Sequence, residues 1–124
     1  MIWSDETHSY QATMCPRIGK ACPEAACLVA QLARSVAEAR AFTQPDFEVA
    51  GFGRLEGCSD TCSARFIATH ARVRLFCGVE ADSAMAPLDA LADAMFGAAG
   101  HGGPVSAAAL PQRPLALLEA RPTA

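Results

Sequence analysis

Apolar and polar positions alternate with a period of two over residues 9–14, with Tyr10, Ala12 and Met14 on one side and Ser9, Gln11 and Thr13 on the other. This pattern predicts a short strand running to Cys15, because successive side chains of a strand point to opposite faces. Pro16 and Gly19 then break the chain into a loop with Cys15 and Cys22 at its ends. Beyond it the period lengthens. Leu28, Leu32, Val36 and Ala39 recur at helical spacing, and Pro23 and Glu24 suit a first turn, so a helix is predicted over residues 23–42 with Cys27 in its opening turns.

After Pro45, the alternation of Phe47, Val49 and Gly51 with Asp46, Glu48 and Ala50 predicts a strand that runs toward Leu55 and delivers the chain to Gly57-Cys58. Two apolar segments, residues 64–69 and 73–79, flank His70-Ala71-Arg72 and read as a hairpin. Asp82 or Ser83 is the expected cap of a last helix, with Pro87 in its first turn and Leu88, Leu91, Ala92, Met95 and Phe96 as its apolar stripe. The predicted order is β-α-β-β-β-α. From residue 97 glycine, proline and alanine dominate, and Leu115, Leu117 and Leu118 form an isolated apolar segment whose ordering costs more entropy than its burial returns. One domain over residues 1–98 and a flexible tail over 99–124 are therefore expected.

The chain has 124 residues, enough for a single core and one site. Apolar residues make up 52 % of it, yet no stretch reaches the ~18 uninterrupted apolar residues of a spanning helix, so membrane insertion is not expected. A net charge of −3 gives no general attraction to nucleic acid or to an anionic membrane surface. The first residues, Met1-Ile2-Trp3-Ser4-Asp5-Glu6, have neither the basic nor the apolar region of a secretory signal, which places the chain in the cytoplasm. In a reducing compartment its six cysteines are expected as metal ligands or reactive thiols rather than disulfides.

Five of those cysteines fall into two clusters, Cys15-x6-Cys22-x4-Cys27 and Cys58-x3-Cys62. A [2Fe–2S] centre takes four thiolates, and two loops could supply two each. Small polar residues between Cys58 and Cys62 leave donors able to approach the sulfurs. The first cluster has one cysteine too many: a helix start favours a thiolate at Cys22 and Cys27, while Cys15 closes the preceding strand, so the residues alone leave the choice open. Four thiolates also suit zinc, although the C-x2-C knuckles common in zinc sites are absent.

Both clusters and the element order between them resemble the thioredoxin-like [2Fe–2S] ferredoxins, a family that includes the matching domain of the small iron–sulfur subunit of complex I and hydrogenases. A group of small bacterial proteins described as metal-binding is similar too. Cys22-x4-Cys27 with Cys58-x3-Cys62 matches the dehydrogenase version, and Cys15-x11-Cys27 with Cys58-x3-Cys62 the free-ferredoxin version. The likeness covers residues 10–98. It implies an α/β, thioredoxin-like fold of about four strands and two main helices, and a one-electron carrier meeting a redox partner protein, with a homodimer as the associated assembly. The implied ligands are Cys15, Cys27, Cys58 and Cys62, with Cys22 the alternative to Cys15. A weakly apolar first strand and the lack of a Leu-Gly lead-in to the second loop depart from the family pattern. The rival reading is a non-redox metal-binding or metal-delivery protein that holds zinc on the same cysteines.

Other residues read more plainly. Cys77 lies in an apolar strand and is expected in the core. His8, His70 and His101 lack spaced partners and are expected at the surface, while Arg65, Arg72 and Arg74 give the hairpin a solvated basic face and Asp60 shapes its own turn. Serine–histidine–acid, P-loop and dinucleotide motifs are missing, so no catalytic residues are assigned and an electron-transfer or accessory protein is expected rather than an enzyme.

Overall fold

The computed structural model describes residues 1–57, 62–97 and 114–123. Its elements are β1 (Ile2–Ser4), β2 (His8–Ala12), α1 (Pro23–Ala39) continued by a 3-10 turn (Arg40–Phe42), β3 (Glu48–Arg54), β4 (Ser63–Thr69), β5 (Val73–Cys77), α2 (Met85–Phe96) and β6 (Ala116–Pro122). The strands form one six-stranded sheet in the order β1-β2-β6-β5-β4-β3, and every neighbouring pair is antiparallel.

This sheet corrects the expected thioredoxin-like layout of about four strands. Two of its strands, β1 and β6, were not legible as such, and β6 lies near the centre between β2 and β5. Residues 116–122 are thus not a flexible tail; the rest of that stretch, residues 98–113 and 124, lies outside the described residues. The segment Ala116-Leu117-Leu118-Glu119-Ala120 is buried throughout. An apolar segment too short to hold a structure alone becomes ordered here because two partner strands satisfy its backbone and both its faces are covered. Glu119, the one charge in that run, is only 1 % exposed and faces Arg74 directly across the β5–β6 ladder.

The chain crosses from β2 to β3 through α1, passing over β6, β5 and β4. The buried line of α1 is Ala25, Val29 and Ala33, with Leu28, Leu32 and Val36 half-buried beside it. The helix is therefore turned from the expected stripe, so that small side chains allow close approach to the sheet and the leucines fill the flanks. Under it lie Tyr10, Ala12, Ala68, Val73, Leu75, Leu118 and Ala120. On the opposite face α2 covers Phe76, Val79 and Leu117 with Leu88 and Ala92. Met95, expected in the α2 stripe, is exposed. The α2 N-cap is Ala84 without a side-chain bond, so neither Asp82 nor Ser83 is the cap.

Arg74 is fully buried, which corrects the reading of a solvated basic face. Its Nε donates to Glu119 at 2.7 Å and its Nη1 to Asp89 at 2.5 Å, pinning α2 to β5 and β6. Asp93 Oδ1 lies 2.7 Å from Nη2 and completes the ion-pair cluster. His8 is likewise buried, in β2, rather than at the surface. His70 is half-buried, stacks on Phe47 at 5.5 Å and meets the Thr43 hydroxyl. His101 and Asp60 lie outside the described residues.

Candidate metal centre

Strand β2 ends at Ala12, and Thr13 hydrogen-bonds Leu117 of β6 in both directions, backbone to backbone and backbone to side chain, which fixes where the next segment starts. From there Cys15 pairs with Lys20 in an isolated bridge closed around Gly19, whose φ of +69° is the left-handed conformation that glycine adopts freely. The result is a tight turn carrying Arg17 at its outer end. Cys22 then takes the N-cap position of α1, its carbonyl accepting from Ala26 N–H.

The second cysteine segment is the turn between β3 and β4. Leu55 N–H donates to Cys62 C=O at 2.8 Å, extending the β3–β4 ladder by one step and placing Cys62 on the α1 side of the sheet. Cys58 and residues 59–61 lie outside the described residues.

Both segments converge at one end of the sheet. Nη1 of Arg17 lies 3.8 Å from Sγ of Cys62. Glu24, in the first turn of α1, packs so closely on Gly57 that a β-carbon there would collide with its carboxyl group. Cys27 lines a cleft together with Glu24, Gln31, Leu55 and Gly57, the segment that leads into Cys58. Cys15, Cys22 and Cys62 are all buried and belong to the same packed cluster, whereas Cys27 is exposed with Gln31 Nε2 3.8 Å from its sulfur. Cys77 is buried as expected, at the end of β5 between Ala64 and Ala116, on this same face.

Among the described residues no three cysteine, histidine, aspartate or glutamate side chains come close enough together to enclose a metal ion. Of the four implied ligands, Cys15 (or Cys22), Cys27 and Cys62 are described and are not brought together, and Cys58 lies outside the described residues. The donor type alone suits a four-thiolate site, since all are thiols drawn from two separate segments; the described thiols, three buried and Cys27 exposed, are not arranged around a common point. Sequence reasoning missed Arg17, because only the turn closed by Cys15 and Lys20 brings it to Cys62.

A separate cleft of about 200 Å³ lies at the opposite end of the sheet, bordered by His8, Val36, Arg40, His70 and Pro122. It contains no cysteine. No described helix is long and apolar enough to cross a membrane. Neither protein-family models, nor curated proteins, nor solved structures give a match to the chain.

Proposed function

We propose that the chain binds one [2Fe–2S] cluster between the β2–α1 segment and the β3–β4 turn and serves as a one-electron carrier. The ligands in this reading are Cys58 and Cys62 from the second segment and Cys15 and Cys27 from the first, with Cys22 the alternative to Cys15. The observation that carries it is the meeting of two distant cysteine segments at one end of the sheet, seen in the Arg17–Cys62 contact. It rests on that convergence and on the thiol donor set, since the sheet is not thioredoxin-like.

A bound cluster would supply one reversible electron. The chain's own residues would set its surroundings. Arg17 places a positive charge at Cys62, which favours the more negative, reduced state of a thiolate-held centre. In this reading a redox partner protein would approach from the side of exposed Cys27 and the cleft it lines. A reducing compartment such as the cytoplasm is consistent with thiols kept free for a metal.

Absorption spectroscopy on protein purified without oxygen tests the proposal. A red-brown chromophore that dithionite bleaches and air restores is the expected result. A colourless chain that carries zinc in place of iron overturns the electron-transfer reading in favour of the zinc-binding one. Single serine replacements of Cys15, Cys22 and Cys27 are expected to abolish the chromophore at two positions and spare it at one.

A further inference from the structure

Strand β3 is an edge of the sheet and is exposed along nearly its whole length, with Val49 and Phe52 both more than 40 % accessible. Such an edge is a template for another strand, and chains that keep their edges unpaired commonly place lysine, proline or a bulge there. The sequence Glu48-Val49-Ala50-Gly51-Phe52-Gly53-Arg54 has none of these; its charges stand only at the two ends.

The ladder fixes which backbone groups are open. Thr69 N–H donates to Arg72 C=O and Gly78 N–H to Ser63 C=O, so the odd-numbered residues of β4 bond to β5. The even-numbered residues Ala64, Phe66 and Ala68 therefore turn to β3, where they meet Gly53, Gly51 and Val49. Glu48, Ala50, Phe52 and Arg54 are left pointing their N–H and C=O groups outward along an edge that no described strand pairs with.

We infer that β3 pairs antiparallel with β3 of a second copy about a two-fold axis through Gly51. This register sets Glu48 opposite Arg54 of the other copy and Ala50 opposite Phe52, so every directly bonded pair joins two residues whose groups point outward. All seven residues of the strand are matched, giving about eight backbone hydrogen bonds. Two opposite-charge pairs close the ends, and each Phe52 ring lies over Ala50 of the other copy on the α2 side. A two-residue slip one way sets Glu48 against Glu56 of the other copy; the other way sets it against Phe52 and Arg54 against Asp46, beyond the strand, and either slip matches five strand residues instead of seven. Charge and matched strand length together thus select one register in a strand whose glycines would otherwise specify it weakly.

A single pair of edges buries little surface, so the dimer is expected to dissociate on the order of micromolar. Sedimentation velocity on the full chain in reducing buffer, over a range of protein concentrations, tests it. The wild type is expected to pass reversibly from monomer to dimer. Ala50→Pro removes one outward N–H that the monomer's ladder does not use, and it is expected to weaken the dimer at least tenfold with circular dichroism unchanged. Glu48→Arg or Arg54→Glu alone sets like charges opposite each other and weakens it; the two together restore it. A wild type that stays monomeric at hundreds of micromolar, a larger assembly, or a dimer indifferent to these changes overturns the inference.

Discussion

Arg17 and Cys62, 45 residues apart in sequence, meet through a guanidinium nitrogen and a sulfur 3.8 Å apart. This contact ties a turn between β2 and α1 to the start of β4, and it puts a fixed positive charge at the edge of the cysteine segments. Replacing Arg17 with Gln keeps much of the stem but removes the charge. The expected outcome is a cluster that still assembles but whose reduction potential falls on the order of tens of millivolts, measured by dye-mediated titration.

The position of β6 makes a second expectation sharp. A chain ended after Phe96 loses a central strand, leaving β2 and β5 without a shared partner and the burial of Leu117 and Leu118 undone. It is expected not to fold, giving a circular dichroism spectrum without the sheet signal and no cooperative thermal transition. A truncated chain that melts like the full one would show that residues 114–123 do not belong to the core.

This strand also shows where the sequence stops being legible. The helix over residues 23–42, the strand running toward Leu55 and the hairpin around His70 to Arg72 follow from patterns within one short window each, and the structure has all three, the strand ending at Arg54. β6 has no such window. Its neighbour in sequence is a glycine- and proline-rich stretch, and its order comes from partners, His8 to Ala12 on one side and Val73 to Cys77 on the other, that are distant along the chain. Arg74 and Glu119 illustrate the same limit, since each reads as a surface charge until the ladder sets them opposite each other. At the candidate site, spacing alone identifies the two cysteine segments, whereas Arg17 and the position of Cys77 at the same end emerge only from the sheet.

Arg74, Glu119 and Asp89 form the polar core of the α2 side. Removing the guanidinium by Arg74→Ala leaves buried Glu119 with Arg121 as its remaining cation, leaves Asp89 without its bond to β5 and opens a void under α2. A loss of about 3–5 kcal/mol in urea denaturation is expected. Replacing exposed Glu38 of α1 by Ala is the comparison, with an expected change within about 0.5 kcal/mol.

Tyr10 is the single tyrosine, so its titration can be followed alone by absorbance at about 295 nm. Burial first, and then its hydrogen bond to Asp5 at 2.6 Å, push its hydroxyl from an ordinary 10.0 up to about 12. Because the folded value is the higher one, the stability this phenol contributes is complete below pH 10 and is lost as pH rises through 12. Asp5 is shifted the other way: the Tyr10 hydroxyl first, and then the Thr7 and His8 amides, hold it well below the usual carboxylate range. Its contribution is present above pH 4 and fades as pH falls below that. Asp5→Asn is expected to lower the Tyr10 midpoint while leaving it above 10, since burial remains. An unchanged midpoint would show that the Asp5 contact does not act on the phenol.

The central claim is that the two cysteine segments together hold an iron–sulfur cluster, and the amounts of iron and acid-labile sulfide bound per chain test it most directly. Protein purified without oxygen is expected to contain about two of each, and Cys62→Ser to lose both while keeping its secondary structure. Wild-type protein with neither iron nor sulfide after anaerobic cluster reconstitution, or with the same content after Cys62→Ser, would contradict it.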